Sequence, residues 1–268
     1  MTRLLKSDFY ALFKDRSTIT TIIVIAGYSV LMILLSMGAT SGLGGEGLPT
    51  GEQFVQTAAS LMSDIAIFIP ILVGVVATRD FKNGTIRNKV LIGKRRSLIF
   101  LSRLIVSLVY GFICYFVYFF VSSMVGTMIG GYSENGLTSE LFAKAVVLFF
   151  IGLLHYTTII TVIVFIAFSL KKSIWTTLFS VAMFMSSMFI LMVILFSATD
   201  LSNVNEVFVF LLTLTPAYQN MLITEMLPLA GTPLIPSYTT VVLFVSNIVY
   251  ILGFSGLGIL IFSKSDLK

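Results

Sequence analysis

The side chains that carry most protein chemistry are nearly absent from this sequence. His155 is the only histidine and Cys114 the only cysteine among 268 residues. One histidine excludes the zinc motifs that need two, such as the HExxH helix of membrane metalloproteases. One cysteine excludes an intramolecular disulfide, and Cys114, set in an apolar run, reads as a small buried hydrophobe. A phosphate-cradling GxxxxGK[ST] loop needs a glycine five places before a Gly-Lys pair. The only such pair is Gly93-Lys94, and Arg95 follows it while Asn88 stands at the first glycine position. Nothing in the pattern cradles a nucleotide, and no paired carboxylates lie in an apolar run to support membrane-embedded proteolysis. The chain is expected to catalyse no reaction of its own, with no metal and no cofactor. What remains is charge, concentrated in one segment: from Arg79 to Arg96 there are seven cations and one acid.

That segment must be positioned by a membrane bundle. The composition is 57% hydrophobic and 11% charged, with a mean hydropathy of +1.02. A soluble domain carries about 25% charged residues to cover its wet shell, so lipid must replace most of the water here. A helix crossing the ~30 Å hydrocarbon core needs about 20 apolar residues. The charge-free runs predict six transmembrane helices near 17–38, 58–78, 100–130, 142–169, 174–197 and 238–262. The second includes Asp64, which lies about two turns from the helix start, where an ionised group costs less than at mid-membrane. With six spans, every one of the 17 basic residues except Lys144 falls on one side, which the positive-inside rule makes the cytoplasm. Both termini are then cytoplasmic, and the +5 net charge is a topological asymmetry with no nucleic-acid partner implied. The first apolar run is too long for a signal-peptide core and reads as a signal anchor.

Three segments do more than span. Residues 1–16 repeat Leu5, Phe9, Leu12 and Phe13 at helical spacing among Arg3, Lys6 and Lys14, which predicts an amphipathic helix in the inner interface. The loop 79–97, RDFKNGTIRNKVLIGKRRS, interleaves Phe81, Ile86, Val90, Leu91 and Ile92 with its charges. Contact with anionic lipid explains the charge alone; a short cytoplasmic helix shown to a partner protein explains both. Gly84 and Gly93 punctuate it. Between the fifth and sixth helices, residues 198–237 hold four of the six prolines, Pro216, Pro228, Pro233 and Pro236, with Gln219 and Asn220. Broken backbone at membrane depth is tolerated only inside protein or beside a wet cavity, so an outer re-entrant hairpin is predicted.

These features together resemble the permease subunit of ABC-2 type transporters of Gram-positive bacteria, over essentially the whole chain as a single transmembrane domain, 1–268. The closest motif is Asp80-Phe81-Lys82-Asn83-Gly84-Thr85-Ile86-Arg87-Asn88-Lys89, then Gly93, a basic patch and a helix from near Ile99. The resemblance implies that Asp80, Phe81, Asn83, Gly84, Thr85, Ile86, Arg87 and Asn88 belong to a coupling element that docks on a separate ABC ATPase. It also implies two ATPase subunits, which bind ATP and Mg, and a second permease chain in a homodimer or heterodimer. The location would be the bacterial plasma membrane. The chain looks closest to permeases exporting amphipathic or antimicrobial peptides, such as bacitracin-resistance, lantibiotic-immunity and phenol-soluble-modulin systems. Phe112, Tyr115, Phe116, Tyr118 and Phe119 are candidates to line the path for a peptide or drug substrate. The readings in competition are an ATP-independent secondary transporter, for which Asp64 and His155 are the only ionisable candidates, and a membrane anchor of an ATPase complex that transports nothing.

Overall fold

The computed structural model describes residues 2–42, 55, 63–131, 139–197, 214–225 and 237–265. Among these, every regular element is an α-helix: α1 (Thr2–Lys14), α2 (Arg16–Gly42), α3 (Ser63–Lys82), α4 (Thr85–Leu91), α5 (Arg96–Gly130), α6 (Ser139–Leu170), α7 (Ser173–Ser197), α8 (Pro216–Glu225) and α9 (Ser237–Lys264). In lipid a helix satisfies its own backbone groups. Among the described residues, four stretches are long and apolar enough to cross a membrane: Arg16–Leu35, Arg96–Ile129, Ala145–Leu170 and Val241–Lys264.

Helix α6 is the hub, packed against α3, α5, α7, α8 and α9. Its residues 158–164 are all buried. The hydroxyls of Thr157 and Thr161 donate to the carbonyls of Leu154 and Thr157, at 2.6 and 2.8 Å, so they enter the apolar core without an unmet hydrogen bond. Near the basic end, α9 crosses α5 closely. A side chain at Gly258 would overlap the Phe100 ring, so only glycine allows the two helices to approach this far.

The helices overrun the segment read as the loop 79–97. Helix α3 continues to Lys82, and α5 begins at Arg96, with Arg79 and Lys82 in the last turn of α3 where cations complement the helix dipole. Helix α5, at 35 residues, is about 50 Å long against a ~30 Å hydrocarbon core. Its first turns lie level with the end of α3, where Arg103 meets Asp80.

Helix α1 forms as expected, but its packing differs. Leu4, Asp8 and Leu12 are buried, and Leu5 and Phe9 pack with Leu12 against a cluster holding Val106, Tyr110 and Cys114. Of the predicted lipid-facing stripe, Phe13 is the member left exposed, beside Tyr10. The reason is electrostatic: the helix turns Asp8 inward to meet charged partners on α4 and α5.

Of the predicted outer hairpin, residues 198–213 and 226–236 lie outside the described residues. What is described is α8, opened by Pro216 where a missing N–H costs nothing. Its Gln219 is wholly buried in a polar node with α6 and α9. Asn247 Nδ2 donates to Gln219 Oε1 at 3.1 Å and to the Leu243 carbonyl at 2.7 Å. Gln219 Nε2 donates to Ser246 Oγ at 2.8 Å. Because Asn247 thus turns its Oδ1 toward His155 Nδ1, 3.4 Å away, that nitrogen carries the proton, and His155 is absorbed in the node that anchors α8. Asn247→Leu is expected to cost about 1–3 kcal/mol and to release α8 first. Hydrogen exchange should rise across 216–225 while the centre of α6 stays protected; equal protection in both would refute the anchor.

Candidate functional site

The C-terminal end of α3 and the N-terminal end of α5, with α1 and α4, build a compact charged element. Gly84 ends α3 at φ 66°, a left-handed conformation that glycine adopts without strain. The chain re-enters a helix at Thr85, and α4 stops at a Schellman turn. Lys94 N–H donates to the Lys89 carbonyl at 3.2 Å and Gly93 N–H to the Val90 carbonyl at 2.9 Å, with Gly93 at φ 83°. The two glycines thus cut out a seven-residue helix and set its direction.

Two carboxylates and two cations clamp that helix. Lys89 Nζ lies 2.7 Å from both Asp8 Oδ1 and Asp80 Oδ2. The Arg103 guanidinium pairs with Asp80 and approaches Asp8 to 3.9 Å. Ser102 Oγ donates to Asp8 at 2.8 Å and Thr85 Oγ1 to Asp80 at 2.9 Å. Asp8, Asp80 and Arg103 are only 5%, 8% and 4% exposed, so the four charges must cancel within the cluster. Burial by itself would raise the Asp80 pKa, but Arg103 and Lys89 outweigh it and hold the carboxyl below its ordinary value. One cluster therefore joins four helices through charges that tolerate no missing member.

Beside it lies an aromatic wedge. The Phe81 ring sits 5.1 Å from Phe168 and 6.3 Å from Phe262, and Phe168 is 4.9 Å from Phe100, all edge to face. These rings come from α3, α6, α9 and α5, so Phe81 inserts the end of α3 among three membrane helices. Arg96 reaches the carbonyls of Ser263, in the last turn of α9, and Ser265, just beyond it, tying α9 to the same end.

Of the motif residues, Asp80, Phe81, Thr85 and Ile86 turn inward, with Ile86 buried. Asn83, Gly84, Arg87 and Asn88 are exposed. The outward surface also includes Leu91 and Ile92, 75% and 76% exposed at the tip of α4, although in the sequence they look like anchors. Asp8, Lys89, Ser102 and Arg103 were not legible as a cluster. The one available signal was that acids are scarce on the basic side, so each is bound to be paired.

The five path candidates divide. Tyr115, Tyr118 and Phe119 are buried in the bundle; Tyr115 donates to the Phe149 carbonyl at 3.1 Å and stacks near Tyr156. Phe112 and Phe116 face outward. A family model described as ABC-2 family transporter protein matches residues 13–187, which carry α2 to α6, the first part of α7 and all of the charged cluster except Asp8. No curated protein matches the chain.

Proposed function

The chain belongs to the ABC-2 family of transporter proteins, and from that premise we propose that it is the permease subunit of an ATP-driven exporter. Membership implies a multi-pass membrane protein that works with an ABC ATPase. In the proposed assembly α3 and α7 complete six spans, both termini are cytoplasmic, and two permease chains meet two ATPase subunits in the bacterial plasma membrane. The cargo is an amphipathic or antimicrobial peptide or a similar drug. Of the five aromatic candidates, Phe112 and Phe116 are the ones a path between two chains would meet.

One observation carries this reading. Helix α4 is held by buried charges on one side, next to the end of α3 that the aromatic wedge fixes, yet the helix and its flanking turns present Asn83, Arg87, Asn88, Leu91 and Ile92 on the other. Large apolar side chains standing free on a charged cytoplasmic tip are the pattern of a protein contact. A rigidly held tip can pass ATPase motion into α3 and α5, whereas a loosely tethered loop would absorb it.

The test is Leu91→Asp with Ile92→Asp. Both residues are exposed, so expression, membrane insertion and melting temperature should match the natural protein. Capture of the cognate ATPase from detergent should fall by about thirtyfold, the loss of a ~2 kcal/mol anchor, and export should fall with it. Undiminished capture and export by this variant would sink the assignment of α4 as the docking element.

A further inference from the structure

A cavity of about 350 Å³ lies between α2, α3, α5 and α6. Tyr28, Cys114, Tyr115, Tyr118 and Tyr156 make its lining largely aromatic and apolar, and Ser17, Thr20 and Thr21 line it along the first turns of α2. Val24 lines it and is more than half exposed, so the cavity opens sideways beside α2 to whatever surrounds the bundle. A second hollow shares Ser17, Thr21 and Leu72 with it and leads to Asp15 and Arg79. Arg79 pairs with Asp15 at 3.0 Å and also donates to the Ala11 carbonyl at 3.2 Å. Both partners remain about one-third exposed, and Arg16 and Lys14 are exposed nearby on the same turn of chain.

We propose that this cavity binds one acyl chain of an anionic phospholipid from the cytoplasmic leaflet, with the headgroup at Arg16 and Arg79. Length supports a lipid chain: from Ser17 to Tyr28 the rise along α2 is about 16 Å, one leaflet of a ~30 Å hydrocarbon core. Shape supports it too, because the lateral opening at Val24 lets a chain enter without leaving the bilayer. Water suits the aromatic walls poorly, since they offer few polar partners, and an unfilled void would forfeit dispersion contacts along its whole lining. At the mouth Arg79 meets the single carboxylate Asp15 and Arg16 stands exposed on the adjoining turn, while Lys14 turns to Tyr10; the remaining excess of positive charge favours a phosphate-bearing anionic headgroup over a zwitterionic one. The leaflet assignment rests on the cytoplasmic orientation proposed above. Lipid selectivity in detergent does not depend on that orientation or on an ATPase, so the two can fail separately.

Cys114, the only cysteine, lets the unaltered protein report on its own cavity. The full chain in detergent is alkylated with N-ethylmaleimide and followed by intact mass, with added phosphatidylglycerol or phosphatidylcholine of identical chains. Phosphatidylglycerol should slow alkylation at a mole fraction lower by about fivefold per basic residue engaged, and Arg16→Gln with Arg79→Gln should erase that preference. Equal protection by both lipids would mean an unselective lipid belt and would overturn the proposal. Protection by an amphipathic peptide but by neither lipid would overturn it as well. If Cys114 resists the reagent throughout, native mass spectrometry decides. One phosphatidylglycerol retained per natural chain and none by Thr21→Trp supports the site, and equal retention refutes it.

Discussion

Replacing Arg103 by methionine is expected to lower stability by about 3–5 kcal/mol, because one member of a buried ionic cluster is removed. The variant keeps Asp8 and Asp80 buried beside a single cation, Lys89. Adding Asp80→Leu should recover most of the loss, since Asp8 and Lys89 then remain as a balanced pair at 2.7 Å, and well-packed apolar substitutes for buried ions are often neutral. If the double variant melts no higher than Arg103→Met alone, the charges do not act as a cluster. The pH dependence has a defined sign. Asp80 is held below its ordinary value of 3.8 in the folded chain, so its contribution is complete at neutral pH. That contribution is lost as the pH falls below about 3.8 and through the lowered value. Melting curves of the natural protein should therefore drop in this acid range more steeply than those of Arg103→Met.

The second large effect is expected from Phe81→Ala. The ring fills a space among Phe168, Phe262 and the end of α3, and emptying such a space costs about 3 kcal/mol, the low end of the range because Phe81 is only partly buried. The exposed face of α4 is untouched, so ATPase capture should persist while export collapses. This is the opposite split to Leu91→Asp with Ile92→Asp, which should lose capture and keep stability. The two variants together separate docking from transmission. Normal export by Phe81→Ala, with an unchanged melting temperature, would remove the wedge from the mechanism. Alanine at Gly84 should add a smaller penalty of about 1–2 kcal/mol for its left-handed backbone.

The sequence by itself determined the properties that sum locally along the chain. Hydropathy marks the apolar runs, and Arg16–Leu35, Arg96–Ile129, Ala145–Leu170 and Val241–Lys264 are indeed helices of spanning length. Gly84 and Gly93 announced a short helix between them because a backbone turn of that kind depends on the residue at the turn. Only the tertiary structure decided which face of each helix looks inward. In a membrane helix both faces are apolar, since lipid and protein neighbours suit the same side chains, so periodicity cannot separate buried Tyr115, Tyr118 and Phe119 from outward Phe112 and Phe116. On the short charged helix α4 the sequence does not say which apolar residues meet the bundle, and Leu91 and Ile92 stand exposed while Ile86 is buried. The charged cluster was further out of reach: it joins Asp8 to Ser102 across 94 positions. Such a contact exists only once α1, α3, α4 and α5 have packed, because a buried charge is stable only where the fold brings its counter-charge.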